Sequence, residues 1–140
     1  MSALGSGIAV GLGCRSGCSA DDIVAAVTAA LASAGCSLAE VEAFYAPELK
    51  LAEAGLRAAA DELGKPLRML PMAALREQSA AVLSSSPLVL ERFGVPSIAE
   101  TAALAGACLA QRARGRAHLL GARVAVGGAT CALAVRESAR

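Results

Sequence analysis

Residues 10–19 form a glycine-rich segment near the N-terminus, and it holds the groups best suited to bind an anion. An apolar run precedes the segment and an apolar-periodic stretch follows it, which predicts a loop between a first strand and a first helix. Gly11 and Gly13 allow the backbone to approach a ligand closely. Ser19 can cap the helix and leave its N–H groups facing outward, and Arg15 adds a positive charge beside them. The alternative is a tight strand-to-helix turn that binds nothing.

The glycine spacing fits the dinucleotide-binding fingerprint poorly. After Gly11 and Gly13 that fingerprint needs a third glycine at position 16, where the sequence has Ser16, and Gly17 comes one residue late. No clear acidic residue for a ribose follows. A nucleotide-dependent enzyme is therefore the least favoured function class.

A second group of candidates follows the predicted strand at residues 41–46. The apolar spacing after Pro47 predicts a helix that begins near Glu48 or Lys50, so that Lys50 and Glu53 lie in its first turn, near the carboxyl end of the strand. Lys50 is then a candidate anion ligand. In the alternative, Lys50 forms an internal ion pair with one of these two glutamates or with Glu100.

A third group opens a helix that is predicted to run to about residue 112. Ser97 and Glu100 form the Ser-x-x-Glu signature of a capping box, which is the simplest interpretation of Glu100 and predicts that Glu100→Gln costs less than about 1 kcal/mol. Caps also account for Ser19 and Ser97. The candidates for acid–base catalysis are therefore weak ones: Glu48, Glu53 and Glu100.

The five cysteines and the single histidine predict thiols rather than a metal site. Three residues separate Cys14 from Cys18, whereas metal sites usually have two between such ligands, so no metal is expected. Cys14 lies beside Arg15 at a helix entrance and could have a lowered pKa, although no histidine accompanies it. The remaining cysteines are predicted to be small core residues: Cys36, Cys108 and Cys131. Reduced thiols indicate a cytoplasmic protein.

Length and composition limit the function classes further. The 140 residues predict a single domain over 1–140. A net charge of +1 and an aromatic content of 2% argue against nucleic-acid binding, which needs phosphate-binding charge or base-stacking rings. Neither a signal peptide nor an apolar stretch long enough to span a membrane is expected.

The order of predicted elements indicates an α/β fold. Strands alternate with helices up to residue 112, and two further strands at 118–122 and 129–135 flank Gly127 and Gly128, which predict a hairpin turn. The expected architecture is a three-layer sandwich with a mostly parallel sheet and an antiparallel C-terminal hairpin at its edge. Residues 79–90 give no clear prediction, and the basic segment with Arg112, Arg114 and Arg116 is predicted to be a solvated loop.

Three segments taken together resemble the cobalamin-biosynthesis family CobE, which is similar to the C-terminal domain of CbiG. Each motif alone is weak, but their order and spacing are specific, and the resemblance covers residues 7–135. The segments read Gly11-x-Gly13-Cys14-Arg15-x-Gly17, Glu48-x-Lys50-x-x-Glu53-x-Gly55-Leu56, and Gly94-Val95-x-Ser97-Ile98-Ala99-Glu100.

The resemblance implies a role in making the corrin ring. CbiG-like proteins open a lactone on a cobalt-precorrin and release acetaldehyde. Because we expect this protein to lack the N-terminal domain of those longer proteins, we do not expect the hydrolase activity to carry over whole. The sequence also departs from the family pattern. It has Ser16 where a second Arg is frequent, Cys18 where Thr is common, and Arg123 where a Lys often stands.

The expected function is binding of a precorrin-type tetrapyrrole, with assistance in lactone opening and acetaldehyde release as an extension. The alternative is a non-catalytic partner or carrier that docks to another corrin-pathway enzyme. No cofactor, nucleic acid or membrane is expected as a partner. The candidate substrate-binding residues are Gly11, Gly13, Cys14, Arg15, Ser19, Lys50, Glu53, Ser97 and Glu100.

Overall fold

The computed structural model describes residues 7–110 and 117–136, which build one sheet with helices on both faces. The strands are β1 (Ile8–Cys14), β2 (Val41–Pro47), β3 (Leu67–Leu70), β4 (Ala117–Leu119), β5 (Val124–Val126) and β6 (Ala129–Arg136). The α-helices are α1 (Ala20–Ala34), α2 (Ala54–Leu63), α3 (Met72–Arg76), α4 (Pro87–Phe93) and α5 (Ile98–Ala110). Short 3-10 turns cover Leu38–Glu40, Glu48–Lys50 and Ser79–Ala81.

The sheet has the strand order β3-β2-β1-β6-β4, and β5 also pairs with β6. β1, β2 and β3 are parallel, whereas β6 is antiparallel to β1, β4 and β5. In the described part of the chain only β6 therefore runs against the other strands. This confirms the predicted α/β class with a mostly parallel sheet, and Gly127 and Gly128 form the turn of the C-terminal hairpin between β5 and β6.

The two faces of the sheet are covered by different helices because side chains alternate along each strand. In β1, Ile8, Val10 and Leu12 pack in the core with α1 and α2. Ala9 belongs to the opposite core, which α5 covers together with α3. The alanine-rich helix α5 lies very close to β1, since a Cβ atom at Gly11 would overlap the carbonyl oxygen of Ala99.

The first helix follows the sequence prediction, and the second does not. α1 is capped by Ser19, whose Oγ accepts the Asp22 N–H at 3.1 Å, and it ends at Gly35, which has a φ of 70°. The predicted start of the second helix at residue 48 or 50 is wrong, because those residues form a 3-10 turn and α2 begins at Ala54. Lys50 and Glu53 therefore precede α2 instead of lying in its first turn.

The C-terminal half contains two elements that the sequence did not predict. α4 begins inside residues 79–90, the segment without a clear prediction, and continues past its end. Ser86 caps α4 by accepting the Val89 N–H at 3.4 Å. The strand predicted at 118–122 ends at Leu119, and the separate strand β5 follows. Arg112, Arg114 and Arg116 lie outside the described residues. Within those residues, no helix has the length and apolar character needed to cross a membrane.

Candidate functional site

Three turns meet at the carboxyl edge of the sheet. β1 and β2 are parallel neighbours, so the turn after β1 (residues 15–19) and the turn after β2 (residues 48–53) leave the sheet side by side. The Gly17 N–H donates to Oε1 of Glu53 at 2.9 Å, which joins these two turns. The Arg15 N–H donates to the carbonyl oxygen of Gly128 at 2.9 Å, which adds the hairpin turn. This edge, next to the point where the direction of chain progression reverses, is where open α/β sheets usually bind ligands.

The first turn is shorter than the glycine pattern predicts. Strand β1 continues through Cys14, so Gly11 and Gly13 are buried strand residues, and their predicted position in a loop is wrong. A Cβ at Gly13 would lie 2.6 Å from Oγ1 of Thr130, and one at Gly11 would overlap α5. Both glycines are thus required by packing within the sheet and against the helix.

Arg15 and Ser19 remain at the surface of the first turn. The capping role predicted for Ser19 is confirmed by its hydrogen bond with Asp22. The first turn of α1 also contains Asp21 and Asp22, whose negative charges already compensate the positive end of the helix dipole. An anion at this edge would therefore depend more on side-chain cations than on the start of α1.

Lys50 and Glu53, in the turn after β2, lie near the end of the turn after β1. Both act electrostatically on the thiols of Cys14 and Cys18, where the positive charge of Lys50 lowers the pKa and the negative charge of Glu53 raises it. The first and second groups of candidates are thus brought together. Glu48 is exposed in the same 3-10 turn.

Two leucines flank Lys50 at the surface. Leu49 is 46% exposed and Leu51 is 64% exposed, so the turn presents apolar surface directly before and after Lys50. The edge therefore combines apolar surface with two cations, one in each turn: Arg15 in the turn after β1 and Lys50 in the turn after β2.

The Cys14 thiol is not activated. Burial is the largest effect and, with the adjacent Cys18, raises the pKa of Cys14 to about 12, which the nearby Lys50 does not offset. The prediction of a lowered pKa at Cys14 is therefore wrong, because the residue ends a buried strand instead of standing in an open loop. Burial also raises the pKa of Cys18.

Glu100 has a different role from the one predicted. Ser97 caps α5 by accepting the Glu100 N–H at 3.3 Å, but the fully buried Glu100 carboxylate reaches two other segments. Oε1 accepts the N–H groups of Leu83 and Ser84, each at 2.9 Å. Oε2 accepts the Ser84 hydroxyl at 2.7 Å and the Arg123 N–H at 2.8 Å. In the described part of the chain none of these four donors belongs to Ser97, whereas a capping box requires the Ser97 N–H to donate to the Glu100 carboxylate.

These contacts make Glu100 an internal anchor. Burial alone would raise the pKa of Glu100, but the hydrogen bonds from Ser84, Arg123 and Leu83 outweigh it and lower the pKa below its ordinary value. The prediction that Glu100 is the reciprocal half of a capping box with Ser97 is wrong, because both carboxylate oxygens accept from other segments. The donors lie 16, 17 and 23 residues away in sequence, so no local pattern could have identified them.

Both turns of the candidate edge contain solvent-exposed residues, and two pockets of the described residues lie away from it. An apolar groove of about 290 Å³ runs between the ends of α1 and α2, with Leu31, Leu38 and Leu63 in its lining. Because α1 starts at the carboxyl edge of the sheet, this groove lies toward the opposite edge. In residues 7–110 and 117–136 there is no group of three or more His, Cys, Asp or Glu side chains that could hold a metal ion.

Comparison with known proteins gives the family. The model of the family described as "Cobalamin synthesis G C-terminus" matches residues 8–134. The chain belongs to this family. The curated protein CobE of a Sinorhizobium species is 30% identical over 103 residues, which cover 74% of this chain and 67% of the relative. Together with the solved structures below, these matches show that the protein takes part in cobalamin biosynthesis.

Two crystal structures share the fold. One is CobE, a protein from the cobalamin (vitamin B12) biosynthetic pathway, with 39% identity, a TM-score of 0.85 and coverage of 94% of this chain and 92% of that chain. The other is the cobalamin biosynthesis protein chiG from Agrobacterium tumefaciens, with 31% identity, a TM-score of 0.69 and coverage of 94% and 99%. The fold of the family member described here is therefore that of solved cobalamin-biosynthesis proteins.

Proposed function

We propose that this family member binds a precorrin-type tetrapyrrole at the carboxyl edge of its sheet. Precorrins are flat, largely apolar macrocycles rimmed by acetate and propionate carboxylates, so a site for them needs apolar surface with cations at its margin. The observation that carries the proposal is Lys50 between the exposed Leu49 and Leu51, in the turn that is hydrogen-bonded to the Arg15 turn. Arg15 and Lys50 would each bind a rim carboxylate.

The predicted binding residues fall into two groups by exposure. The groups that a ligand could contact are Arg15, Ser19, Lys50 and the partly exposed Cys14 and Glu53. The others support the edge from inside and are buried: Gly11, Gly13, Ser97 and Glu100. We therefore propose a binding role for the first group only.

The acid–base candidates give less support to lactone opening. The Glu53 carboxylate holds the first turn through Gly17, and Glu100 is fully buried with four donors around it. Glu48 is exposed and is the remaining candidate for a proton-transfer role. These observations favour binding without catalysis.

The second candidate function is a carrier that docks to another corrin-pathway enzyme. An open edge with exposed leucines favours it, because a partner could reach a ligand that is bound on a surface more readily than one enclosed in a cavity. We expect either function to be carried out in the cytoplasm.

Absorbance titration of the protein with a purified precorrin tests the proposal. A specific site should give a Kd near 1 µM, which corresponds to about −8 kcal/mol, with co-elution in size-exclusion chromatography. NAD and ATP serve as comparison ligands, since a nucleotide site would bind them instead. The absence of both a spectral change and co-elution at 100 times that Kd, or about 100 µM, would refute tetrapyrrole binding.

A further inference from the structure

We propose that Cys14 and Cys18 are a dithiol that closes to an intramolecular disulfide when the protein meets a small-molecule disulfide such as glutathione disulfide. The pair lies at the candidate edge, where Cys14 is among the groups that a ligand could contact, but its oxidation is not a step of the proposed function. The inference therefore does not depend on tetrapyrrole binding.

The backbone brings the two thiols together. Cys14 is the last residue of β1 and Cys18 directly precedes the cap of α1. Between them the chain folds back in a turn, in which the Cys18 N–H donates to the Arg15 carbonyl oxygen at 3.0 Å and Gly17 has a φ of 75°. Both side chains pack against the same core cluster, and each thiol is close enough to influence the pKa of the other. The Cys18 sulfur also lies 4.0 Å from the Ser19 carbonyl oxygen, and both residues are partly exposed free thiols.

Contacts from outside the turn hold this arrangement. The Arg15 N–H is bonded to Gly128 and the Gly17 N–H is bonded to Glu53. A Cβ atom at Gly128 would lie 3.2 Å from Cβ of Cys18, so the hairpin turn also packs against this thiol. Because the turn is already fixed, closing the disulfide orders little additional chain.

The other cysteines provide internal controls. Cys131 is fully buried in β6, where an oxidant in solution cannot reach it. Cys36 follows α1 and its thiol lies 3.6 Å from the Ala34 carbonyl oxygen, at the far end of that helix. Cys108 lies in α5, with Gln78 Nε2 3.8 Å from its sulfur.

The reaction is a two-step thiol–disulfide exchange. The Cys18 thiolate attacks one sulfur of glutathione disulfide, forms a mixed disulfide and releases one glutathione thiolate. The Cys14 thiolate then attacks the Cys18 sulfur, forms the internal disulfide and releases the second glutathione. Two protein thiols are oxidised and one disulfide is reduced, and the two protons pass to the released glutathione molecules.

Burial controls the rate of this reaction. Because burial raises the pKa of Cys14 to about 12, the thiolate is scarce at neutral pH. The rate of closure should therefore rise about tenfold for each pH unit between pH 7 and 9, in proportion to the thiolate fraction.

Peptide mapping tests the proposal directly, because trypsin cleaves after Arg15 and separates the two cysteines. Full-length protein is incubated with glutathione disulfide at pH 8, the remaining thiols are alkylated, and the unreduced digest is analysed by mass spectrometry. We expect peptide 1–15 to be linked to peptide 16–50. The link should persist in Cys36→Ser, which removes the other cysteine of peptide 16–50, and disappear in Cys18→Ser.

Three results would overturn the proposal. The first is stable glutathionylation of Cys14 or Cys18 without closure. The second is a disulfide between two protein molecules in place of the internal one. The third is complete alkylation of both thiols after prolonged incubation at pH 9, where the pKa of Cys14 no longer limits the reaction as strongly.

Discussion

Replacing Glu100 by Gln should destabilise the protein far more than a change in a simple capping box would. The amide oxygen of Gln can take the position of Oε1 and keep the N–H groups of Leu83 and Ser84. The amide nitrogen then takes the position of Oε2, where it cannot accept the Arg123 N–H, although the Ser84 hydroxyl can rotate and accept from it. One partly buried donor, the Arg123 N–H, is left without an acceptor, and the remaining hydrogen bonds are no longer charge-assisted.

The expected cost follows from these two effects. An unsatisfied donor costs about 1–3 kcal/mol when it is buried, and a partly buried one lies in the lower part of that range. The weakening of charge-assisted hydrogen bonds adds about 1 kcal/mol, so Glu100→Gln should lower the free energy of unfolding by about 2–3 kcal/mol. The capping-box interpretation predicts less than about 1 kcal/mol for the same change, since Gln also caps.

Urea unfolding measured by circular dichroism separates the two values, and Glu40→Gln is the matched control. Glu40 is part of a true capping box, in which Oε1 accepts the Ser37 N–H at 2.9 Å. The control variant should lose less than about 1 kcal/mol. Equal losses in the Glu100 and Glu40 variants would refute the internal-anchor account.

Three further predictions concern acid stability, surface contacts and packing. Because the pKa of Glu100 is lowered by folding, its contribution is present above the ordinary carboxyl pKa and is lost as the pH falls below about 4, so acid titration of Glu100→Gln should show a smaller loss of stability than the wild type. Leu51→Ser should weaken precorrin binding about fivefold, because apolar contact with the macrocycle is lost. The control Leu109→Ser, at a residue 61% exposed on α5, should bind like the wild type. Equal affinities of the two variants would show that Leu51 is not part of the site. Gly11→Ala should lower the free energy of unfolding by about 1–3 kcal/mol or prevent folding, because α5 leaves no space for a methyl group. The control Gly121→Ala has open space around it and should melt at the wild-type temperature. A Gly11 variant as stable as the wild type would contradict the close approach of α5 to β1.

Local features of the fold could be predicted from the sequence because their causes lie within a few residues. The cap at Ser19 and the hairpin turn at Gly127 each depend on the conformation of adjacent residues. The alternation of strands and helices then led to the correct fold class.

Features that depend on tertiary contacts could not be predicted in this way. Gly11 has the sequence signature of a ligand-binding loop, but its small size is required by α5, almost ninety residues later in the chain. Likewise α2 starts at Ala54 and not at residue 48 or 50, because Glu53 turns back to bond Gly17 and Gly55 must pack against the Cys18 carbonyl oxygen. Local propensity carries no information on such partners.

The same distinction applies to the candidate site. The meeting of the Arg15 and Lys50 turns could be predicted, because parallel strands bring the turns that follow them to one edge. The role of Glu100 could not, because its four donors come from segments that only the folded chain brings together. The exposure of the leucines beside Lys50 was not predicted, because a helix beginning near residue 48 or 50 would have a buried apolar face.

The most direct test of the central claim compares precorrin binding by Lys50→Met and Lys65→Met. Both lysines are partly buried, and both replacements keep the length and the apolar stem of the side chain while removing its charge. Lys65 lies after α2 and before β3, at the opposite edge of the sheet. If a rim carboxylate binds at Lys50, its loss should raise the Kd at least tenfold, or about 1.4 kcal/mol, while Lys65→Met should bind like the wild type. Equal affinities of the two variants would contradict binding at this edge.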